Sequence, residues 1–176
     1  MANSTAICTS FKAEVMLGAH QLGTVTIVSR TSLTSPTTDS LKAALYFATA
    51  SLGAATTTYS ATGEATGSGY SAGGIAVTNA TAPTTGGTTG FWTPSASLVY
   101  TAVTIAAFDT VFIYNSTQSN RAILVFNFGS TTVTAGNFTL TMPSNAAGTA
   151  LINLAKAMLL LEFWRLRKEK ANFTSH

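Results

Sequence analysis

The chain has 176 residues, of which 46% are apolar and 9% are charged, compared with roughly 25% charged residues in ordinary soluble domains. The formal net charge of +3 lies entirely after residue 155, because the charges before that point cancel, and this excludes a strongly basic, nucleic-acid-binding body. The single cysteine, Cys8, excludes an intrachain disulfide and a zinc site built on a cysteine cluster.

The first predicted element is a short helix near residues 10–18. In "TSFKAEVMLGAHQLG", Ser10 is a candidate N-cap, Gly18 a candidate stop, and Phe11 and Val15 lie on one helical face. We expect this helix to pack on one end of a sheet or on a neighbouring molecule, with Phe11 and Val15 as candidate partner contacts. The residues before it lack the basic and apolar regions of a secretory signal, which predicts synthesis in a cytoplasm.

The residues that follow, up to residue 155, favour strands joined by polar turns. Val, Ile, Thr, Phe and Tyr dominate the candidate strands, and "NFTLTM" alternates between polar and apolar residues. Clusters such as "TAPTTGGTTG" and "NSTQSN" read as turns. The pattern predicts a mainly β fold, an antiparallel β-sandwich of the jelly-roll or immunoglobulin-like kind. The predicted strands are 24–29, 40–48, 74–80, 97–106, 109–115, 121–129, 137–143 and 150–155.

The stretch "YSATGEATGSGYSAGG", from Tyr59 to Gly74, raises the question of a glycine-rich ligand loop. It contains no G-x-G-x-x-G before a helix and no GK[ST], which excludes the usual dinucleotide and phosphate loops. Glycines between tyrosines instead favour a bulged or sharply turned strand pair, where the missing Cβ allows a positive φ or a close approach of two backbones.

Residues for catalysis or metal binding are scarce. The body holds four carboxylates, Cys8 and His20, and no spacing among them matches a catalytic motif or a metal-ligand cluster. We therefore predict a protein that is not an enzyme and that binds neither a metal nor a cofactor. A neutral surface rich in Ser, Thr and Asn protects poorly against self-association, so we expect a homo-oligomer; the alternative is a monomer solvated by its hydroxyl groups.

The chain ends in a different kind of sequence, "LAKAMLLLEFWRLRKEKANFTSH". Strong helix formers predict a basic amphipathic helical arm over residues 156–176, appended to a domain of residues 1–155. Its apolar run is too short for a membrane span and is interrupted by Glu162 and Arg165. A helix lying in a membrane interface is one alternative, but we favour contact with a partner protein or a neighbouring subunit. The candidate contacts here are Met158, Leu161, Phe163 and Trp164.

Several stretches, in this order, resemble a family of small structural proteins of tailed bacteriophages. They are "FKAEVMLGAHQ", "TDSLKAALYFATASLGAATTTYSATGEATGSGYSAGG", "VFIYNST", "NRAILVFNFG" and "FTLTMPSNAAGTALINLA". The resemblance covers most of residues 11–155. Two parts depart from it: residues 24–36 read as additional sequence, and the chain continues about twenty residues past the usual end of such proteins.

The resemblance implies a virion protein that is assembled in the bacterial cytoplasm. Together with the neutral body and the arm, it leads us to expect a capsid decoration protein that clamps subunits of the major capsid protein through many moderate interfaces. A tail, neck or fibre component is the alternative within the virion. From another class, a carbohydrate-binding module is the remaining alternative, with Trp92 in "TGFWTPS" as its candidate aromatic residue.

Overall fold

The structure, a computed structural model, describes residues 3–16, 18–20, 22–23 and 38–155. These residues form antiparallel sheets and very little helix, which confirms the predicted mainly β class, and a β-sandwich is compatible with the arrangement. The predicted strand at 24–29 and the predicted arm at 156–176 lie outside the described residues.

The described elements begin with one short strand and the predicted helix, and strands follow. The helix runs from Thr9 to Met16 and so agrees with the expected position. The Ser10 hydroxyl is buried without a hydrogen-bond partner in the described part of the chain, so its predicted capping role is wrong. In chain order the elements are β1 Ala6–Ile7, α1 Thr9–Met16, β2 Leu41–Phe47, a 3₁₀ turn Ala48–Ala50, β3 Gly67–Ser68, β4 Ile75–Ala76, β5 Thr84–Gly86, β6 Thr89–Trp92, β7 Leu98–Asn115, β8 Arg121–Leu140 and β9 Ile152–Ala155.

A long hairpin of β7 and β8 forms the centre of the larger sheet. Within the described residues this sheet has the order β1-β8-β7-β2-β4, and β3 pairs with β7 beside β2. The sequence predicted two separate strands in each arm of this hairpin, and those divisions are wrong. The predicted breaks, after residue 106 and after residue 129, are bulges inside continuous strands, because the register between β7 and β8 shifts at several points without a turn.

Polar side chains replace the ladder hydrogen bonds that the bulges remove. The N–H of Ala102, which has a φ of 52°, donates to Oδ1 of Asn137 at 2.9 Å. The N–H of Ala135, with a φ of 46°, donates to Oγ1 of Thr104 at 2.9 Å. Part of the Thr and Asn content of these strands therefore satisfies irregular backbone.

The hairpin bends back on itself at these bulges. The rings of Phe128 and Phe138 have centroids 5.2 Å apart, although an extended strand would separate residues ten positions apart by about 33 Å. Phe138 also meets Phe108 edge to face, with ring centroids at 4.9 Å. The part of the β7–β8 hairpin around Phe138 thus packs over the part around Phe108 and Phe128, and aromatic rings fill the space between them. We call this bent hairpin the ribbon.

The smaller sheet corrects another expectation. The stretch "TAPTTGGTTG" was predicted to be a turn, but it contains β5 and the start of β6, paired around a two-residue turn at Gly87 and Thr88. Gly87 has a φ of 58°, which suits glycine in such a tight turn. Strand β9 completes this sheet by pairing with β6, so that Ile152 lies opposite Trp92 and Ala155 opposite Thr89.

The N-terminal residues contact strands that come much later in the chain. Ala6 and Ile7 pair with Val125 and Leu124 of β8. Ahead of them, the side-chain amide of Asn3 donates to Oδ1 of Asp109 at 2.9 Å and to the carbonyl oxygen of Phe47 at 3.0 Å. One buried amide thus joins the N-terminus, β2 and β7.

Candidate functional site

The segment from Tyr59 to Gly74 is built into the sheet as the sequence predicted. A Cβ on Gly67 would fall 1.9 Å from the carbonyl oxygen of Thr104, and a Cβ on Gly74 would fall 1.8 Å from that of Ala43. Only glycine permits these approaches of one backbone to another. The two glycines place β3 against β7 and β4 against β2, which leaves the glycines a structural role in strand pairing.

A buried carboxylate organises this segment. Glu64 is 6% exposed, and its Oε1 accepts hydrogen bonds from the hydroxyl of Tyr70 and from the N–H of Gly73, both at 2.7 Å. Its Oε2 accepts from the hydroxyl of Tyr59 at 2.6 Å. The ring of Tyr59 stacks on that of Tyr114 at 4.7 Å, and the Tyr114 hydroxyl donates to the carbonyl oxygen of Gly73 at 2.9 Å.

The phenols around Glu64 are held in their protonated form. Burial raises the pKa of Tyr70 above its ordinary value, and the hydrogen bond to the Glu64 carboxylate raises it further. The same two causes raise the pKa of Tyr59. A protonated phenol donates a hydrogen bond but is a poor base, so the cluster fixes the loop and has no poised proton acceptor among its tyrosines.

A second polar cluster joins α1 to the turn between β7 and β8. Glu14 accepts from Nε2 of His20 at 2.7 Å and from the guanidinium of Arg121 at 2.5 Å. Burial alone would raise the pKa of Glu14, but these two hydrogen bonds and charges outweigh it and hold the pKa below its usual range.

The other ring nitrogen of His20 faces Asn115. Its Nδ1 lies 3.0 Å from the side-chain nitrogen of Asn115, which also donates to Oδ2 of Asp39 at 2.6 Å. The carbonyl oxygen of the same Asn115 side chain accepts the N–H groups of Thr117 and Gln118 at 3.1 Å each. Both sides of His20 are thus occupied by structural partners, and the network fixes the turn that the sequence predicted at "NSTQSN".

Cys8 is buried beside this cluster. Burial, with a smaller effect of the Glu14 charge, raises the pKa of its thiol to about 11. The thiolate is the nucleophilic form of cysteine, so Cys8 is unreactive near neutral pH. Across residues 3–16, 18–20, 22–23 and 38–155, no three His, Cys, Asp or Glu side chains come together as a candidate metal site.

Two residues that the sequence offered for binding lie in the core. Phe11 is 1% exposed and packs edge to face against His20, so it is not available to a partner, because the helix faces its own sheet. Val15 is half-buried against the same core. Trp92 is 1% exposed and its Nε1 donates to the carbonyl oxygen of Thr81 at 2.8 Å, so it cannot stack on a sugar. The candidate contacts Met158, Leu161, Phe163 and Trp164 lie outside the described residues.

An apolar groove opens where the bent ribbon meets the chain after it. Its floor is one face of the β7–β8 pair, where Val111 lies opposite Phe126 and Ile113 opposite Leu124. We call it the ribbon groove, and it encloses about 360 Å³. Its walls are Leu140, Thr141, Met142, Pro143 and Leu151. The continuous apolar run of β7 from Val111 to Tyr114 could have indicated a buried floor. The walls depend on the bend of the hairpin, which the sequence pattern does not indicate.

The charges of the described residues are distributed unevenly between core and surface. All four carboxylates in these ranges are buried. The exposed charges there are cationic and few, namely Lys12, Lys42 and Arg121. The rest of the exposed surface is made largely of hydroxyl, amide and methyl groups, with Val99 and Leu154 as large apolar side chains that are 44% and 48% exposed.

Comparison with known proteins adds no assignment. No protein-family model, curated protein or solved structure matches the chain. Among the helices in the described part of the chain, none has the length and apolar character needed to cross a membrane. The function below is therefore proposed from the sequence motifs and from the surface.

Proposed function

We propose that the protein is a non-enzymatic structural component of a tailed-phage virion, most simply a decoration protein that stabilises the shell of the major capsid protein. The observation that carries this proposal is the surface. All four carboxylates of the described residues are buried, so the surface displays few charges and no exposed acid in those ranges. Free domains usually remain apart through surface charge.

A weakly charged, hydroxyl-rich surface suits a protein that is packed among many neighbours. Its hydrogen-bonding side chains can pair across an interface without the desolvation cost of a buried charge. The polar groups that chemistry would use, Glu64, His20 and Glu14, are instead occupied by internal hydrogen bonds. Energy from many moderate contacts, rather than a reaction, is the mechanism we propose.

The proposal includes homo-oligomers and contact with other virion proteins, in a particle assembled in the host cytoplasm. A tail, neck or fibre component is the second candidate, since the same surface would serve ring contacts around an axis. The carbohydrate-binding alternative loses the residue that favoured it, because Trp92 is buried.

Copy number in purified particles tests the proposal. Quantitative mass spectrometry, with the major capsid protein as internal standard, should find a number comparable to that of the capsid protein. About a dozen copies would instead indicate a neck or tail position, and absence from the particle would contradict a virion role. Particles that lack the protein should lose their DNA at lower temperature; equal heat resistance with and without it would contradict the stabilising role.

A further inference from the structure

The ribbon groove is an apolar recess that no described residue fills. Phe126 of the floor and the wall residues Leu140, Met142 and Leu151 are only half-buried, whereas the other floor residues are buried. Its volume of about 360 Å³ falls in the range of roughly 300–1,000 Å³ that is typical of binding pockets. Its lining contains no charged side chain, so an apolar occupant is the one that it fits.

The sequence supplies such an occupant a few residues away. The stretch "KAMLLLEFWRL", residues 156–166, contains seven large apolar side chains in eleven residues. The described body, in contrast, already uses its own large side chains in its core. An apolar recess and an unusually apolar segment in the same chain are complementary in chemistry.

The direction of β9 favours a segment supplied by a second copy. Leu151 is a wall of the groove, and β9 then runs along β6 until Ala155 lies opposite Thr89, beside the Gly87 turn. Four extended residues carry the chain about 13 Å away from the groove. Strand β9 thus ends at the far tip of the smaller sheet, where Leu154 is exposed, and it has led the described chain away from the groove.

We propose that the ribbon groove receives the C-terminal segment, residues 156–176, of a second copy of this chain. Each copy then donates one segment and accepts another, and a surface with few charges offers little repulsion to the approach. This inference rests on the proposed assembly function and names the contact through which copies are joined. Burial of large apolar side chains in each groove would supply the favourable free energy of the contact.

Cysteine cross-linking between two differently labelled full-length chains tests the exchange. One chain carries Met142→Cys in the groove wall, and the other, made with heavy nitrogen, carries Leu161→Cys in the segment. After mixing and mild oxidation, mass spectrometry should find a disulfide between position 142 of the light chain and position 161 of the heavy chain. Native Cys8 does not compete, because it is buried with a protonated thiol.

The matched control pairs Val99→Cys with the same Leu161→Cys chain. Val99 is an exposed apolar strand residue outside the groove, and its cross-link yield should be at least tenfold lower. Equal yields at positions 99 and 142 would overturn the proposal. So would a double variant, Met142→Cys with Leu161→Cys, that links only within one chain, since the segment would then cover its own groove.

Light scattering on the unmodified protein separates the two proposals. Oligomers without the cross-link between positions 142 and 161 mean that assembly stands and the groove is not its contact. Monomers at every concentration would contradict the proposal that the protein forms homo-oligomers. A full-length Phe163→Asp, Trp164→Asp variant should shift the oligomer to smaller species while its circular dichroism stays that of the wild type; unchanged size would count against the exchange.

Discussion

The hydroxyl group of Tyr70 donates to Glu64 at 2.7 Å and accepts the backbone N–H of Leu45 at 3.0 Å, so a single phenol connects the glycine-rich segment to strand β2. Leu45 is fully buried, and its N–H has no access to water. The oxygen of this one side chain acts both as donor and as acceptor, and it adds a link between the loop and the sheet to those made by strand pairing.

Replacing this phenol should be costly. Tyr70→Phe leaves the N–H of Leu45 and one carboxylate oxygen short of a partner, and we expect a loss of about 2–4 kcal/mol in the free energy of unfolding. Tyr59→Phe, which removes a single bond to the same carboxylate, should cost less, about 1–2 kcal/mol. Urea unfolding measures both. Equal losses in the two variants would contradict the double role of Tyr70.

The tyrosines predict a loss of stability in alkali. The ordinary tyrosine pKa is 10.0, and burial, as the largest cause, raises it in every tyrosine of the chain. A raised pKa in the folded state contributes stability that is complete below pH 10 and is lost as the pH rises above it, because the unfolded chain releases its phenolic protons first. The residues are Tyr46, Tyr59, Tyr70, Tyr100 and Tyr114.

Ultraviolet absorbance of the phenolate checks this directly. Above pH 10 the folded protein should show little phenolate, and ionisation should appear together with the loss of circular dichroism in one transition. A gradual titration centred on pH 10 while the sheet signal is intact would show that the rings are accessible to solvent.

Glu14 predicts a sensitivity to acid. Its pKa is depressed below the ordinary 4.5 in the folded state, so it contributes stability above that pH and loses it as the pH falls through the folded value. Arg121→Gln removes one of the groups that depress the pKa, and we expect a smaller loss of stability between pH 4.5 and more acid conditions. Urea midpoints across this range measure it; an unchanged slope in the variant would mean that the ion pair does not couple to folding.

Glycine at position 67 should be required. Gly67→Ala would place a Cβ 1.9 Å from the carbonyl oxygen of Thr104, so β3 must separate from β7. We expect a loss above about 2 kcal/mol. Gly90→Ala is the matched control, since Gly90 is also a strand residue and nothing lies within 4 Å of its added Cβ. This control should change stability by less than about 1 kcal/mol. Similar losses at both positions would argue against the close approach.

Local patterns predicted the fold wherever the cause was local. The helix near Phe11, the strand around Leu45 and the turn at "NSTQSN" follow from periodicity and turn residues, and each is present. The division of β7 and β8 was predicted wrongly because a bulge and a turn use similar residues. Only long-range pairing shows that Thr104 and Asn137 satisfy bulged backbone instead of ending a strand.

The site was harder to predict than the fold. Glu64 is the one charged residue between Tyr59 and Gly74, but its partners depend on how Tyr59 and Tyr70 turn toward it. The ribbon groove could not be predicted, because Phe126 and Leu140 belong to the same strand and line one groove only where that strand bends. Burial of Phe11 and Trp92 likewise depends on which layer covers them, and composition carries no information on that.

The pairing of Ala6 with Val125 sets an order of events during synthesis. A ribosome releases the N-terminal strand and helix first, but their partners, Asp109, Arg121 and Val125, emerge more than a hundred residues later. Until then the apolar residues of β2 remain unpaired, because β7 has not yet been synthesised. Contacts between residues so distant along the chain form slowly. The nascent chain thus remains incompletely folded for most of its translation. Where several ribosomes translate one messenger RNA, premature association between neighbouring nascent copies would begin at this stage.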